Sequence, residues 1–284
     1  MHNNILKYLI ITSLLILMSG CTGTQNYKAE QYNTENKTAL LVGIGDYQEA
    51  VNLKNPEIDA QDFGQTLKQI GFQVITVIDP TKKELEAAIH EFIIMLNKRG
   101  GIGLFYYAGH GSQLEGENYL IPTDFSVKAS KSVKSQSVNT TVILDQMGKS
   151  RSSTNVIILD ACRDNPFEAS FQVATRSLNK KRGLQPKQEI PTTGLSKIDA
   201  PPNSFIAFST SPGEVAVDGT GRNSPYVEQL MKSIQKENYT IEQVFQDVRN
   251  AVYKQTDGRQ VPWESSSLLH SHYFKPIKRV PTGW

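Results

Sequence analysis

Short apolar runs at residues 40–45, 72–78, 102–108, 155–160 and 205–209 recur along the chain, and most of the gaps between them carry apolar residues at helical spacing. A run such as LLVGIG, apolar at nearly every position, suits a strand covered on both faces. Strands that return parallel to one another need a crossover, usually a helix. The pattern predicts an α/β fold, a mainly parallel central sheet with helices on both faces.

The helices have their own signals. Residues 56–70 place Ile58, Phe63, Leu67 and Ile70 on one face ahead of Gly71, a glycine stop. Thr81 followed by Glu84 is a capping box, opening a helix with Leu85, Ala88, Ile89, Phe92 and Leu96 on one side and Gly100-Gly101 at its end. Further helices are predicted over 142–148, 225–235 and 241–255, and a hairpin strand over 119–122. The stretch 124–139 is polar and reads as a surface loop. Residues 163–203 form a connection far longer than usual, and five basic residues with no acid lie within 169–188.

Thirty basic against 28 acidic residues leave a formal charge of +2. That balance gives no basic face for nucleic acid. Two cysteines exclude a disulfide-stapled miniprotein and a four-cysteine zinc site. No metal or cofactor is expected. His270-Ser271-His272 has strand-like ligand spacing but no third ligand in sight, and reads as a surface strand. Gly43-Ile44-Gly45 begins a dinucleotide fingerprint, yet Gln48 stands where its third glycine belongs.

Residues 1–20 read as an export signal, with Lys7 ahead of an apolar run over 8–18 that is too short to span a bilayer. The run ends in Ser19-Gly20-Cys21, which resembles the bacterial lipobox, with Met18 where Leu is usual. This resemblance implies cleavage before Cys21, a lipid on that cysteine and a place in the cell envelope facing outside the cytoplasm. Thr22 after the cysteine, rather than Asp, resembles the outer-membrane sorting pattern of Gram-negative bacteria. Residues 21–38 then form a tether without Leu, Ile, Val or Phe from position 22 on, and 39–284 the folded domain.

Removal of the leader leaves Cys162 as the one unmodified thiol, in a compartment where disulfides form readily. Active sites of open α/β sheets collect past the carboxyl ends of the strands. The strand over 102–108 runs into Gly109-His110-Gly111, and that over 155–160 into Ala161-Cys162-Arg163. If the two strands are neighbours, His110 and Cys162 share a crevice, as a thiol nucleophile with its acid/base. Their separation is 52 residues, close to the spacing of about 50 in caspases.

With YYAGHG at 106–111, DACRDNPF at 160–167, FSTSPGEVAVDGTGRNSPY at 208–226 and VPWESSSL at 261–268, the chain resembles the caspase-like cysteine peptidases, in particular bacterial caspase-domain proteins related to metacaspases and paracaspases. The resemblance implies a caspase-like three-layer sandwich, with a large-subunit-like part at 39–165, a basic linker at 166–203 and a small-subunit-like part at 204–284. It implies that Cys162 attacks the scissile carbonyl, that His110 protonates the leaving amine, and that the N–H groups of Gly111 and Cys162 hold the oxyanion. Where the caspase signature has Gln, this chain has Asp160, as metacaspases do. That acid, with Asp59 from the NPEIDA segment, implies a pocket for Arg or Lys before the cut. Two positions depart from the family: Ala108, where metacaspases often have Ser, and Asp164, where the caspase pentapeptide has Gly.

The expectation is a lipid-anchored cysteine endopeptidase acting on proteins or peptides. A rival from another class is a catalytically silent caspase-like scaffold, which would require neither His110 nor Cys162.

Overall fold

The computed structural model describes residues 36–126, 133–162, 195–211, 219 and 221–277. The leader, Cys21, all but the end of the tether, most of the basic linker, Asp218 and the side chain of Cys162 lie outside the described residues. In chain order the elements are β1 (Lys37–Gly43), α1 (Pro56–Gln69), β2 (Gln73–Ile78), α2 (Lys82–Arg99), β3 (Gly101–Leu114), β4 (Glu117–Leu120), α3 (Val133–Gln136), β5 (Val138–Asn139), α4 (Thr140–Lys149), β6 (Ser152–Cys162), β7 (Ser204–Phe208), α5 (Pro225–Ser233), α6 (Ile241–Gln255) and β8 (Trp263–Ser266).

The main sheet has the order β2-β1-β3-β6-β7-β8. Its first five strands are parallel, and β8 closes the edge antiparallel to β7. One face carries Phe63 and Leu67 of α1, Val227 and Leu230 of α5, and Val244, Val248 and Val252 of α6. The other carries Leu85, Ile89, Phe92 and Leu96 of α2 with Ile143, Leu144 and Met147 of α4. This is the expected α/β sandwich. Burial of side chains such as Leu40 and Leu41, on opposite faces of β1 and with no exposed surface, contributes roughly 1.5–3 kcal/mol each. The capping box closes as expected, with the Thr81 N–H donating to Glu84 Oε2 at 2.9 Å and the Glu84 N–H to Thr81 Oγ1 at 3.4 Å.

Chain order and sheet order part at β1: the chain moves outward to β2, then crosses to β3 on the other side of β1. Such a switch point leaves a crevice at the carboxyl ends of the two strands, between the ends of β1 and β3.

Three expectations need correction. β3 does not stop at Ala108 but runs on to Leu114, and β6 runs on to Cys162. The glycines flanking His110 therefore sit inside a strand. Long-range pairing decides this: β6 continues alongside as far as His110, and β4 then pairs antiparallel with Gly111–Leu114. The 124–139 loop contains α3 and β5. His272 is not on a surface strand; it is buried and hydrogen-bonds Thr154 Oγ1 at 3.0 Å.

At the end of the sheet where β1 begins, Lys37 is buried, and its Nζ donates to Ile70 O at 2.9 Å and Phe274 O at 2.6 Å. Burial lowers its pKa. Ile70 caps the carboxyl end of α1, where the helix dipole favours a cation. Lys37→Met keeps the stem and removes both donors from two carbonyls, so the denaturant midpoint is expected to fall by the equivalent of about 2 kcal/mol or more. Equilibrium unfolding of the variant beside wild type measures it.

Candidate active site

His110 sits where β1 has just ended. The last contact from that side is the Ile44 N–H on Ala108 O at 2.9 Å. Two residues later the acceptor is a side chain: the His110 N–H donates to Tyr47 Oη at 2.7 Å. Tyr107 Oη lies 2.6 Å from His110 O and 3.1 Å from Ile121 O, donating to this pair of carbonyls. The imidazole is buried, its Nε2 is 2.7 Å from Val51 O, and the Tyr47 ring lies against it at 4.6 Å between centroids. A carbonyl only accepts, so Nε2 carries the hydrogen and Nδ1 is left as the basic ring nitrogen.

Cys162 is the Cα partner of His110 in the β3–β6 ladder. The sheet therefore sets the two main chains about 5 Å apart, the ordinary strand spacing. Gly111 follows. The Ile121 N–H donates to His110 O at 3.1 Å, which makes Gly111–Leu120 the next, non-hydrogen-bonded pair of the β3–β4 ladder. In such a pair the N–H is turned away from the partner strand, here toward the β6 edge, where Cys162 ends. A Cβ at 111 would sit 2.8 Å from Leu195 Cδ2, a contact that requires glycine or movement of that side chain.

The two acids come together on one face of the sheet. Asp160 Oδ2 accepts from Tyr106 Oη at 3.2 Å and Ser224 Oγ at 3.4 Å. Its carboxyl is pushed up to about 7, chiefly by removal from water and further by the charge of Asp59, against hydrogen bonds from Tyr106 and Ser224 that favour ionisation. Asp59, buried on α1, accepts from Asn223 Nδ2 at 2.9 Å and from the Ser224 N–H at 3.1 Å. Burial raises its pKa as well. Outside it, Asp62 holds Arg222 through Nε at 2.8 Å and Nη2 at 3.0 Å. Both carboxylates are thus oriented by hydroxyls, an amide and a helix N-terminus, with no cation beside Asp160 among the described residues.

The family model described as "Caspase domain" matches residues 36–273. The chain belongs to the caspase-domain family. It is 35% identical over 135 residues to the human mucosa-associated lymphoid tissue lymphoma translocation protein 1, a stretch covering 47% of this chain and 16% of that protein. Its mouse homolog is 35% identical over 130 residues, covering 45% of this chain and 15% of the relative. The matched stretch is thus about a sixth of the length of these curated relatives. Family and fold agree on a caspase-like peptidase related to metacaspases and paracaspases.

Several residues around the site escaped the sequence reading. Val51 acts through its carbonyl, which any residue carries, so no side-chain signal exists. Ser224 and Asn223 precede Pro225, the first residue of α5. A Ser-Pro helix start was legible there, but not that the capping serine would also meet Asp160. Among the described residues, no three His, Cys, Asp or Glu side chains gather to hold a metal ion.

Proposed function

We propose that this chain is a lipid-anchored cysteine endopeptidase of the cell envelope that cuts after Arg or Lys, using Cys162 as nucleophile and His110 as acid/base. The observation that carries the reading is the pairing of His110, inside β3, with Cys162 at the carboxyl end of β6. On this reading the Cys162 sulfur gives its proton to His110 Nδ1 and adds to the scissile carbonyl carbon, and the carbonyl oxygen takes up negative charge. The N–H groups of Gly111 and Cys162 stabilise that oxygen, a contribution of about 3 kcal/mol per donor. Collapse breaks the C–N bond as His110 Nδ1 gives its proton to the leaving amine. Water then adds to the thioester, giving one proton to Nδ1; the second collapse breaks the C–S bond, Nδ1 returns its proton to the sulfur, and the new carboxylic acid releases its remaining proton to solvent.

Specificity rests on Asp160 and Asp59. A guanidinium or ammonium brought to Asp160 supplies the positive partner that its hydroxyl neighbours do not. An acidic side chain would meet two carboxylates and be repelled. The substrates are therefore peptides and proteins with a basic residue before the cut. Profiling the purified domain on a peptide library beside its Cys162→Ala form tests the reading. Thiol-dependent cutting after Arg and Lys supports it, whereas covalent labelling of Cys162 with no peptide cut would leave a thiol enzyme of another kind. No labelling and no cutting would leave a silent scaffold.

Attachment is carried by the apolar run over 8–18 ahead of Cys21. Among the described residues no helix is long and apolar enough to cross a membrane, so in this reading the lipid on Cys21 is the anchor. The expected result is that the native protein fractionates with membranes and incorporates labelled lipid, and that Cys21→Ser does neither. A soluble wild type starting at another residue would overturn the anchor.

A further inference from the structure

We propose that Tyr47 is a positioning residue for His110, acting with Tyr107 as a clamp on the histidine's own peptide groups. The inference rests on the reading of His110 as acid/base, but the clamp itself is a matter of geometry. The His110 N–H donates to Tyr47 Oη at 2.7 Å. Tyr107 Oη donates to His110 O at 2.6 Å and to Ile121 O at 3.1 Å. One phenol therefore holds the N–H side of the residue and the other its carbonyl.

Three further observations belong to the same arrangement. Both phenols are buried, and burial raises the pKa of each, so both stay protonated across the working pH range. A Cβ on residue 109 would lie 2.7 Å from Tyr47 Oη and 2.8 Å from Tyr107 Oη. The two hydroxyls therefore fill the space a side chain there would take, and Gly109, at φ +153°, is what admits them. The Tyr47 ring also lies tilted at 45° against the imidazole, restricting rotation of the ring whose Nε2 meets Val51 O.

The physical need is evident from the topology. β1 ends at Gly43, so the strand that holds the earlier part of β3 has no main chain left to offer at His110. A buried N–H without an acceptor costs about 1–3 kcal/mol, and a histidine whose peptide group has lost its neighbour on the β1 side would wander from the geometry proton transfer requires. Tyr47 arrives from the segment just past β1 and supplies the acceptor, while Tyr107 donates to the carbonyl of the same residue.

The test compares wild type with Tyr47→Phe, which keeps the ring and removes the acceptor, and with Tyr107→Phe, which removes the donor to the carbonyl. Two measurements are made on histidine-labelled protein, with His110→Ala to assign the signal. The first is the tautomer, line width and titration of the His110 imidazole by NMR, which needs no activity. The second is kcat and KM on an Arg peptide, with thermal stability recorded alongside. For both variants the His110 ring signals are expected to broaden and shift their tautomer balance. For Tyr47→Phe, kcat should fall about tenfold or more with KM within about twofold, since binding is not what these hydrogen bonds serve. Lowered thermal stability with unchanged His110 signals and unchanged kcat would overturn the proposal, leaving the phenols a packing role. If wild type cuts no peptide while the His110 signals still move in both variants, the peptidase reading fails and the positioning role stands. If Tyr47→Phe does not fold, Tyr107→Phe with wild-type signals and kcat overturns the clamp by itself.

Discussion

Cys162→Ala is expected to abolish peptide hydrolysis while leaving the melting curve of the domain close to wild type. Exchange of a thiol for a hydrogen changes little volume, but no other group on β6 or β3 can form the acyl intermediate. Loss of an activated nucleophile lowers turnover by far more than the roughly tenfold that positioning changes produce. His110→Ala should lose a factor of roughly 10² to 10⁴, the usual worth of a placed acid/base. Progress curves on an Arg peptide, with intact-mass detection of the acyl-enzyme, measure both. A Cys162→Ala protein with more than about a tenth of wild-type activity would remove the dyad from consideration.

The second large effect concerns Asp160 and has two signs. Folded, its carboxyl titrates near 7; unfolded, it returns to about 3.9. Between these values the folded chain keeps a proton that the unfolded chain releases, so this group's contribution to stability falls as pH rises from about 4 to about 7 and stays lost above. Asp160→Asn removes that penalty. At pH 8 the free variant should therefore be more stable than wild type by up to about 4 kcal/mol, the three-unit shift converted at 1.36 kcal/mol per unit, with little difference at pH 4. The same change removes the anion that would receive a basic side chain, so kcat/KM on Arg peptides should fall by about a hundredfold or more. In wild type, preference for Arg over an uncharged isostere should rise as pH passes through about 7 and Asp160 ionises. Paired melts and kinetics across pH 5–9 measure both; a variant less stable than wild type at pH 8 would contradict the desolvation account.

Much of this was legible because it is local. The continuous apolar runs set the strands, Thr81 and Glu84 marked the start of α2, and Pro56 the first residue of α1. The glycines around His110 misled, since glycine ordinarily interrupts strands, and only the long-range partners β6 and β4 show that the backbone runs on. β8 was missed for the same reason: WESS carries no alternation of its own, and its pairing with β7 supplies the strand. The acids were found by type and position, but their partners were not. Asp59 and Ser224 are 165 residues apart, a separation no spacing rule covers.

The seam between β6 and β7 has a further consequence. Asn155 to Leu159 face Ser204 to Phe208 in register, and α5 and α6 bury their apolar faces on the same layer as α1. A chain nicked anywhere between positions 163 and 203 would thus keep its two pieces side by side through the sheet rather than through a covalent link. The earlier piece would carry Asp59, His110, Asp160 and Cys162. The later one would carry Asn223 and Ser224, the groups that tether the two acids. Neither fragment alone contains a whole site, so a nicked molecule would behave as an obligate pair, separable only by unfolding.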